Sequence, residues 1–241
     1  MSELATALAG VRASTTDLLE WLTTLDWAAA DVAAPSLCTG WTRGHVLTHL
    51  ARNADGIAAT LAGALRGEIV ERYPDGWDAR NAAIDAGSGR SFAALASDVG
   101  DSAQRLDDAF AAVEAAGGWS LETEHGHPAR DWPFARWKEV EIHRLDLAAG
   151  YGPDRWPPPL VAALVEREGA RLRGRATSPL AVTIVAEGAV VPELAGRSWR
   201  VGDGVPIEVR GPDWAALAWL VGRPAVAADV LTATPELAPY S

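Results

Sequence analysis

The 241-residue sequence contains a single cysteine, Cys38, which excludes an internal disulfide. A chain without disulfides fits the reducing conditions of the cytoplasm. The sequence also lacks a run of eighteen apolar residues, so we predict no membrane-spanning helix. The amino terminus has neither the basic segment nor the apolar segment of a secretory signal. These three absences together predict a cytoplasmic protein.

An excess of basic residues is missing as well. Asp and Glu number 32 against 21 Lys and Arg, which gives a formal net charge of −11. Nucleic-acid binding needs a basic patch, so we do not expect a nucleic acid as a partner. No P-loop, GxGxxG or GxSxG motif stands between a predicted strand and a predicted helix. The negative net charge does not exclude a local group of basic residues that binds a small anion.

The amino-terminal part of the chain has the periodicity of amphipathic helices. Hydrophobic residues make up 49% of the sequence, enough for a sizeable core. The predicted helices are 3–26, 42–66, 77–86, 91–116 and 134–149. Long helices joined by short loops indicate a four-helix bundle. We therefore predict a helical domain at 1–152.

The composition changes after the proline-rich stretch 151–159, which is the best linker candidate. The elements predicted beyond it are a helix at 160–173, strands at 181–186, 198–201 and 206–210, and a helix at 213–221. We therefore predict a small α/β domain at 157–241 and an α+β fold class for the whole chain.

The helix predicted at 134–149 carries a carboxylate and an imidazole one turn apart, Glu139 and His143. At about 100° per residue, they share one arc with Asp146, and apolar residues flank this arc on both sides. A buried charge is costly unless it is paired or binds a metal. The spacing therefore indicates either a metal site or a simple ion pair within the helix.

The second predicted helix has an uncharged polar stripe that includes His45, His49 and Asn53. His49 and Asn53 lie nearer its apolar edge than His45. Inside a bundle, His49 could join Glu139 and His143 in a three-ligand site with an open position, the usual form of a catalytic zinc site. The alternatives are that His49 is a hydrogen-bonded core histidine or forms an HxxxH pair with His45.

Four other residues have two interpretations each. His125 and His127 are loop residues or lie at the rim of the site. Asp146 orients a metal-binding histidine or is an ordinary buried hydrogen-bonding residue. We expect Cys38 to be a small apolar filler rather than a nucleophile.

Three segments, CTGWTRGHVLTHLARNAD at 38–55, EVEIHRLDL at 139–147 and WLVGR at 219–223, resemble motifs of the mycothiol-dependent maleylpyruvate isomerases. This family belongs to the DinB-like metal-binding superfamily. The segments stand in the family's order and cover essentially the whole chain. The resemblance implies a DinB-like four-helix bundle followed by a small α/β C-terminal domain.

The resemblance also implies site residues. It assigns zinc to His49, Glu139 and His143, and it places Arg223 of the C-terminal domain in the active site. We expect Arg223 to bind a carboxylate of a small dicarboxylate substrate. We expect Asn53 to donate a hydrogen bond to the cofactor or substrate, with a purely structural role as the alternative.

The cofactors that the resemblance implies are zinc and mycothiol, a low-molecular-weight thiol. The zinc-activated thiolate would add to the cis double bond of maleylpyruvate, allow bond rotation and be eliminated to give fumarylpyruvate, a step of aromatic catabolism. A mycothiol S-transferase would have the same zinc site. A metal-free binding module and a metal-dependent hydrolase also remain open, as do iron, nickel or cobalt in place of zinc. We expect a monomer that does not bind membranes.

Overall fold

The computed structural model describes residues 2–175, 180–186, 191, 194, 198–201, 205–238 and 240. Backbone packing divides the chain into two compact units, Met1–Ala149 and Gly150–Ser241. The division falls at the start of the proline-rich stretch that separates the two predicted domains.

The regular elements of the first unit are helices. They are α1 (Glu3–Thr23), α2 (Ala29–Val32), α3 (Arg43–Leu65), α4 (Gly76–Gly87), α5 (Phe92–Ala115) and α6 (Trp132–Asp146), with 3-10 turns at Glu124–Gly126 and Ala129–Asp131. The five predicted helices are all present, with ends shifted by a few residues. The short helix α2 was not predicted, because four residues are too few to show a helical period. Among the described residues, no helix is both long enough and apolar enough to cross a bilayer.

The second unit combines helices with a small sheet. Its main elements are α7 (Pro158–Arg171), β1 (Leu180–Ala186), β2 (Ser198–Val201), β3 (Val205–Gly211) and α8 (Asp213–Leu220). β1 is the central strand, antiparallel to β2 and parallel to β3, so that Thr183 pairs with both Arg200 and Glu208. The chain is therefore mostly helical with a small strand region, in agreement with the coarse prediction.

Helix α3 begins where the sequence predicts. Thr42 is its N-cap, and the Thr42 hydroxyl accepts a hydrogen bond from the backbone N–H of His45 at 3.4 Å. The ring Nδ1 of His45 accepts the backbone N–H of Thr42 at 3.2 Å, which completes a reciprocal cap. His45 therefore stabilises the start of the helix.

The core of the first unit lies between its four long helices. Helix α3 packs against α5 and α6, and α1 packs against the same two helices. Leu18 of α1, Leu50 of α3, Leu95 of α5 and Val140 of α6 belong to one cluster of fully buried side chains. The packing of α3 against α6 brings their polar stripes face to face.

Two glycines of α3 allow the chain after the helix to fold back along it. A Cβ on Gly56 would lie 3.0 Å from the carbonyl oxygen of Arg72, and one on Gly63 would lie 3.0 Å from Cβ of Val70. The hydroxyl of Thr60 donates to the carbonyl of Val70 at 2.9 Å. The segment that approaches these glycines leads into α4.

Candidate metal centre

Helices α3 and α6 bring two imidazoles and one carboxylate together. One ligand atom each of His49, Glu139 and His143 lie within 4.8 Å of one another. Nε2 of His49 is 3.0 Å from Oε2 of Glu139, and Nε2 of His143 is 3.3 Å from the same oxygen. The two imidazole rings meet edge to face, with centroids 4.5 Å apart. The three residues that spacing singled out thus converge on one point.

The cluster is enclosed on one side and reaches solvent on the other. His49 is 4% exposed. The side chains of Glu139 and His143 retain 21% and 14% exposure. Glu139 and His143 therefore form the solvent-facing side of the cluster.

The protonation states follow from burial and from mutual contact. Burial lowers the pKa of His49 to about 4, and the charge of His143 acts in the same direction. Burial alone would raise the pKa of Glu139, but hydrogen bonds from His143 and His49 hold it well below its usual value. Near neutral pH, His49 is therefore neutral and Glu139 is ionised, the forms that bind metals.

His143 is held differently from His49. Burial alone would lower the pKa of His143, but hydrogen bonds to Asp146, Cys38 and Glu139 raise it well above the usual value. Without a metal, the His143 ring is therefore protonated and lies between two carboxylates. A metal ion that binds its Nε2 has to replace this proton.

Asp146 and Cys38 support the His143 ring from behind. Asp146 is fully buried, and its Oδ2 accepts from Nδ1 of His143 at 2.8 Å. Asp146 therefore orients the His143 ring, and its role behind a metal-binding histidine stays a prediction. Cys38 was expected to be an apolar filler, but its Sγ donates to the same oxygen at 3.1 Å. The reason is that the backbone N–H of Leu37 bonds the carbonyl of Asp146, which places the 36–41 loop over the end of α6.

Asn53 lies one turn after His49 and contacts a buried arginine. Its Oδ1 accepts from Nη1 of Arg136 at 2.8 Å, and the same nitrogen donates to the carbonyl of Leu50 at 2.8 Å. Arg136 is 1% exposed, and burial lowers its pKa to about 10. We did not predict this residue, although its place one turn before Glu139 was a signal. The cofactor-binding role of Asn53 stays a prediction.

Arg80 of α4 is a second cation that the sequence pattern did not reveal. Its Nη2 lies 2.8 Å from Nδ1 of His49. The guanidinium carbon is 5.5–5.6 Å from the ring centroids of Trp41, Tyr73 and Trp77. Arg80 stands on a predicted helix without any special spacing, so only the packing of α4 beside α3 reveals the contact.

The other histidines lie outside the cluster. Nδ1 of His45 accepts a hydrogen bond in the N-cap of α3, and Nε2 of His45 is 3.4 Å from Asp85. His125 and His127 are exposed, and His127 is 3.6 Å from Asp131. Within the described part of the chain, none of these three histidines belongs to a group that could hold a metal.

Arg223 belongs to the second unit. It follows α8, and its Nη1 donates to the carbonyl of Val221 at 2.5 Å. Its role in binding a carboxylate stays a prediction.

The family follows from a match over most of the first unit. Residues 11–148 match the family model described as the mycothiol maleylpyruvate isomerase N-terminal domain. The chain belongs to this family. The matched residues include His49, Glu139 and His143. The family predicted from the three sequence motifs is thereby confirmed, and with it the expectation of an enzyme.

Solved structures extend the similarity to the whole chain. The crystal structure of the mycothiol-dependent maleylpyruvate isomerase has 25% sequence identity and a TM-score of 0.84, covering 99% of this chain and 98% of that chain. A histidine-to-alanine mutant of that enzyme matches with 24% identity and the same TM-score and coverage. A search of curated proteins finds no match. This family member therefore shares the isomerase fold over both units.

Proposed function

We propose that this family member is a zinc-dependent and mycothiol-dependent isomerase that converts maleylpyruvate into fumarylpyruvate. The observation that carries the proposal is the convergence of His49, Glu139 and His143. Two imidazoles and one carboxylate leave a coordination position open for an outside molecule, as in catalytic zinc sites.

The donor set fits a zinc ion. Glu139 is ionised and His49 is neutral near pH 7, for the reasons given above. Asp146 accepts the Nδ1 proton of His143 and so directs Nε2 of that ring towards Glu139. A carboxylate behind a metal-binding histidine is a common arrangement, because it fixes the ring and increases its basicity.

The chemistry divides between the cofactors and the chain. Zinc, when bound, would supply a positive charge that favours a thiolate over a thiol at the open position. Mycothiol would supply the thiolate that adds to the cis double bond and is eliminated after rotation about the resulting single bond. The chain would hold the ion through His49, Glu139 and His143, and Trp41 packs against the His49 ring with centroids 5.4 Å apart. Asp146 keeps the His143 ring in place.

The remaining predictions extend this proposal. The long helices α1, α3, α5 and α6 would form a DinB-like four-helix bundle, supported by the packing of α1 and α3 against both α5 and α6. The second unit would be the small α/β domain. From that domain, Arg223 would bind a carboxylate of the substrate, which a cationic fork suits.

The test is a thiol-dependent assay. We expect zinc-loaded protein with mycothiol to convert maleylpyruvate into fumarylpyruvate, and we expect no conversion without the thiol or with metal-free protein. Glutathione and cysteine in place of mycothiol would define the thiol preference. Conjugation of mycothiol to an electrophile, without isomerisation, would instead assign an S-transferase. Substoichiometric zinc after a metal-replete preparation would assign a metal-free binding module.

A further inference from the structure

We infer that Arg80 is an anion-binding residue of the metal centre, and that metal binding frees it to bind a carboxylate of the substrate. This inference rests on the proposed function, because it requires a metal ion held by His49, Glu139 and His143. It adds a residue from α4 to the centre and couples the metal to the substrate.

The contact between Arg80 and His49 determines which ring nitrogen carries the proton. A guanidinium can only donate hydrogen bonds, so Nδ1 of His49, 2.8 Å from Nη2 of Arg80, is the acceptor. The proton of the neutral ring therefore lies on Nε2. From there it is donated to Oε2 of Glu139 at 3.0 Å.

This arrangement is incompatible with a metal on the same ring. A neutral imidazole that binds a metal through Nε2 carries its proton on Nδ1. Two donors, Nδ1–H of His49 and Nη2–H of Arg80, would then face each other across 2.8 Å. The positive charge of the metal adds repulsion. Arg80 therefore has to leave His49 when a metal binds.

The surroundings of Arg80 favour an anion as its next partner. Within the described part of the chain, Arg80 forms no ion pair, whereas Arg52, Arg72 and Arg90 each contact a carboxylate. Its Nη1 donates to the neutral side chain of Asn81 at 2.8 Å. The faces of three aromatic rings surround the charge and hold it without neutralising it. Once Arg80 leaves His49, its guanidinium can therefore donate two hydrogen bonds to one carboxylate.

The position of Arg80 suits a substrate that also reaches the metal. A single imidazole ring separates its Nη2 from Nε2 of His49, the atom that faces Glu139. A carboxylate bound by Arg80 would therefore lie on the His49 side of the metal centre. This favours small carboxylic acids whose other groups can reach the centre from that side.

The experiment measures binding rather than turnover. Zinc and maleate affinities are determined by titration calorimetry for the wild type, Arg80→Gln and Arg80→Lys, with maleate titrated into zinc-loaded and metal-free protein. We expect the wild type to bind maleate about 10-fold more tightly when zinc is present. In Arg80→Gln, maleate affinity of the zinc-loaded protein should fall about 10-fold, because a charge-assisted hydrogen bond is lost. Zinc affinity should rise, because zinc no longer has to displace Arg80.

Arg80→Lys keeps the charge without the fork, and its maleate affinity should be intermediate. The matched control is Arg66→Gln, which removes an exposed arginine paired with Glu68 and should change neither affinity. Thermal unfolding checks that each variant is folded.

The outcomes separate the inference from the proposed function. Equal maleate affinity in zinc-loaded wild type and Arg80→Gln would overturn the inference and leave the zinc site intact. Weaker zinc binding by folded Arg80→Gln would also overturn it, because Arg80 would then support the metal-bound state. A wild type that binds no zinc would overturn the proposed function and this inference together.

Discussion

Helix α3 carries ionisable side chains on two sides. The two groups differ in how their charges are paired. On one side, His49 faces Glu139 of α6 at 3.0 Å. On the other side, Arg52 faces Asp98 of α5 at 2.6 Å. Both groups join α3 to a neighbouring helix, so their positions alone do not tell which one has a function beyond stability.

The group at α5 matches each cation with a carboxylate. Asp98 accepts a hydrogen bond from Arg52 at 2.6 Å and forms an ion pair with Arg90 at 2.7 Å, and Asp55 accepts a hydrogen bond from Arg105 at 2.7 Å. The arginine side chains are partly exposed, and ion pairs of this kind contribute little stability. In this group each arginine therefore has a carboxylate within ion-pair distance.

The group at α6 does not neutralise itself in this way. Two imidazoles converge on one carboxylate, and their pKa values move in opposite directions. The α6 group thus differs from the α5 group in that its donor atoms share one point and compete for protons.

Removal of one proposed ligand should have the largest effect. His49→Ala is expected to weaken zinc binding about a thousandfold, since one of three protein ligands is lost, and to abolish isomerisation. The matched control is His45→Ala on the same helix, which should retain zinc binding and lose only up to about 1 kcal/mol of stability from the helix cap. Zinc titration of both variants tests this prediction. Zinc binding that is lost in His45→Ala and kept in His49→Ala would assign the metal site to His45.

The free energy of unfolding of the metal-free protein should depend on pH because His49 is buried in its neutral form. An unfolded His49 takes up its proton near pH 6.5, whereas the folded one does so near pH 4. The contribution of neutral His49 is therefore fully present above about pH 6.5 and is lost as the pH falls towards 4. The free energy of unfolding should decrease by about 3 kcal/mol over this range through this residue.

Urea unfolding of metal-free wild type and His49→Gln across that range measures this contribution as the difference between them. His127→Gln, at an exposed histidine, should follow the wild type. An identical pH dependence in wild type and His49→Gln would contradict the burial of a neutral imidazole at this position.

Loss of the support behind His143 should have a smaller effect. Asp146→Ala is expected to weaken zinc binding by about 10–100-fold, because the ring loses the carboxylate that orients it. Cys38→Ser keeps a hydrogen-bond donor to Asp146 and should bind zinc as the wild type does. Unchanged zinc affinity in Asp146→Ala would show that the helix alone positions His143.

The group at α5 should give the smallest effect. Asp98→Asn is expected to lower the free energy of unfolding by no more than about 1 kcal/mol, with a smaller effect at high salt, and to leave zinc affinity unchanged. Denaturant unfolding at low and high salt, together with a zinc titration, checks both parts. Altered zinc affinity would mean that the two sides of α3 are coupled.

Much of this site was predictable because helices repeat regularly. The spacing from Glu139 to His143 and Asp146 determines that the three share one side of α6, whatever the helix packs against. Thr42 as the N-cap of α3 and the polar stripe through His49 follow from equally local patterns. The family was predictable from three motifs for the same reason, since each is a short continuous segment.

Other features of the site depend on packing between distant segments. Cys38 reaches Asp146 only because the loop before α3 bonds the end of α6, and Arg136 reaches Asn53 only because α3 and α6 are adjacent. No local pattern distinguishes these side chains from a filler or an ordinary charged residue. Their partners lie 83 to 108 residues away along the chain.

Local patterns in the sequence were enough to predict the long helices, the polar side of each, and the family. Only the packing of the helices brings His49 to Glu139, places Asp146 and Cys38 behind His143, and puts Arg80 against the other nitrogen of His49. The physical reason is that periodicity and capping depend on neighbours within a few residues. Protonation states and ligand geometry depend on burial and on groups that only the packed helices bring together.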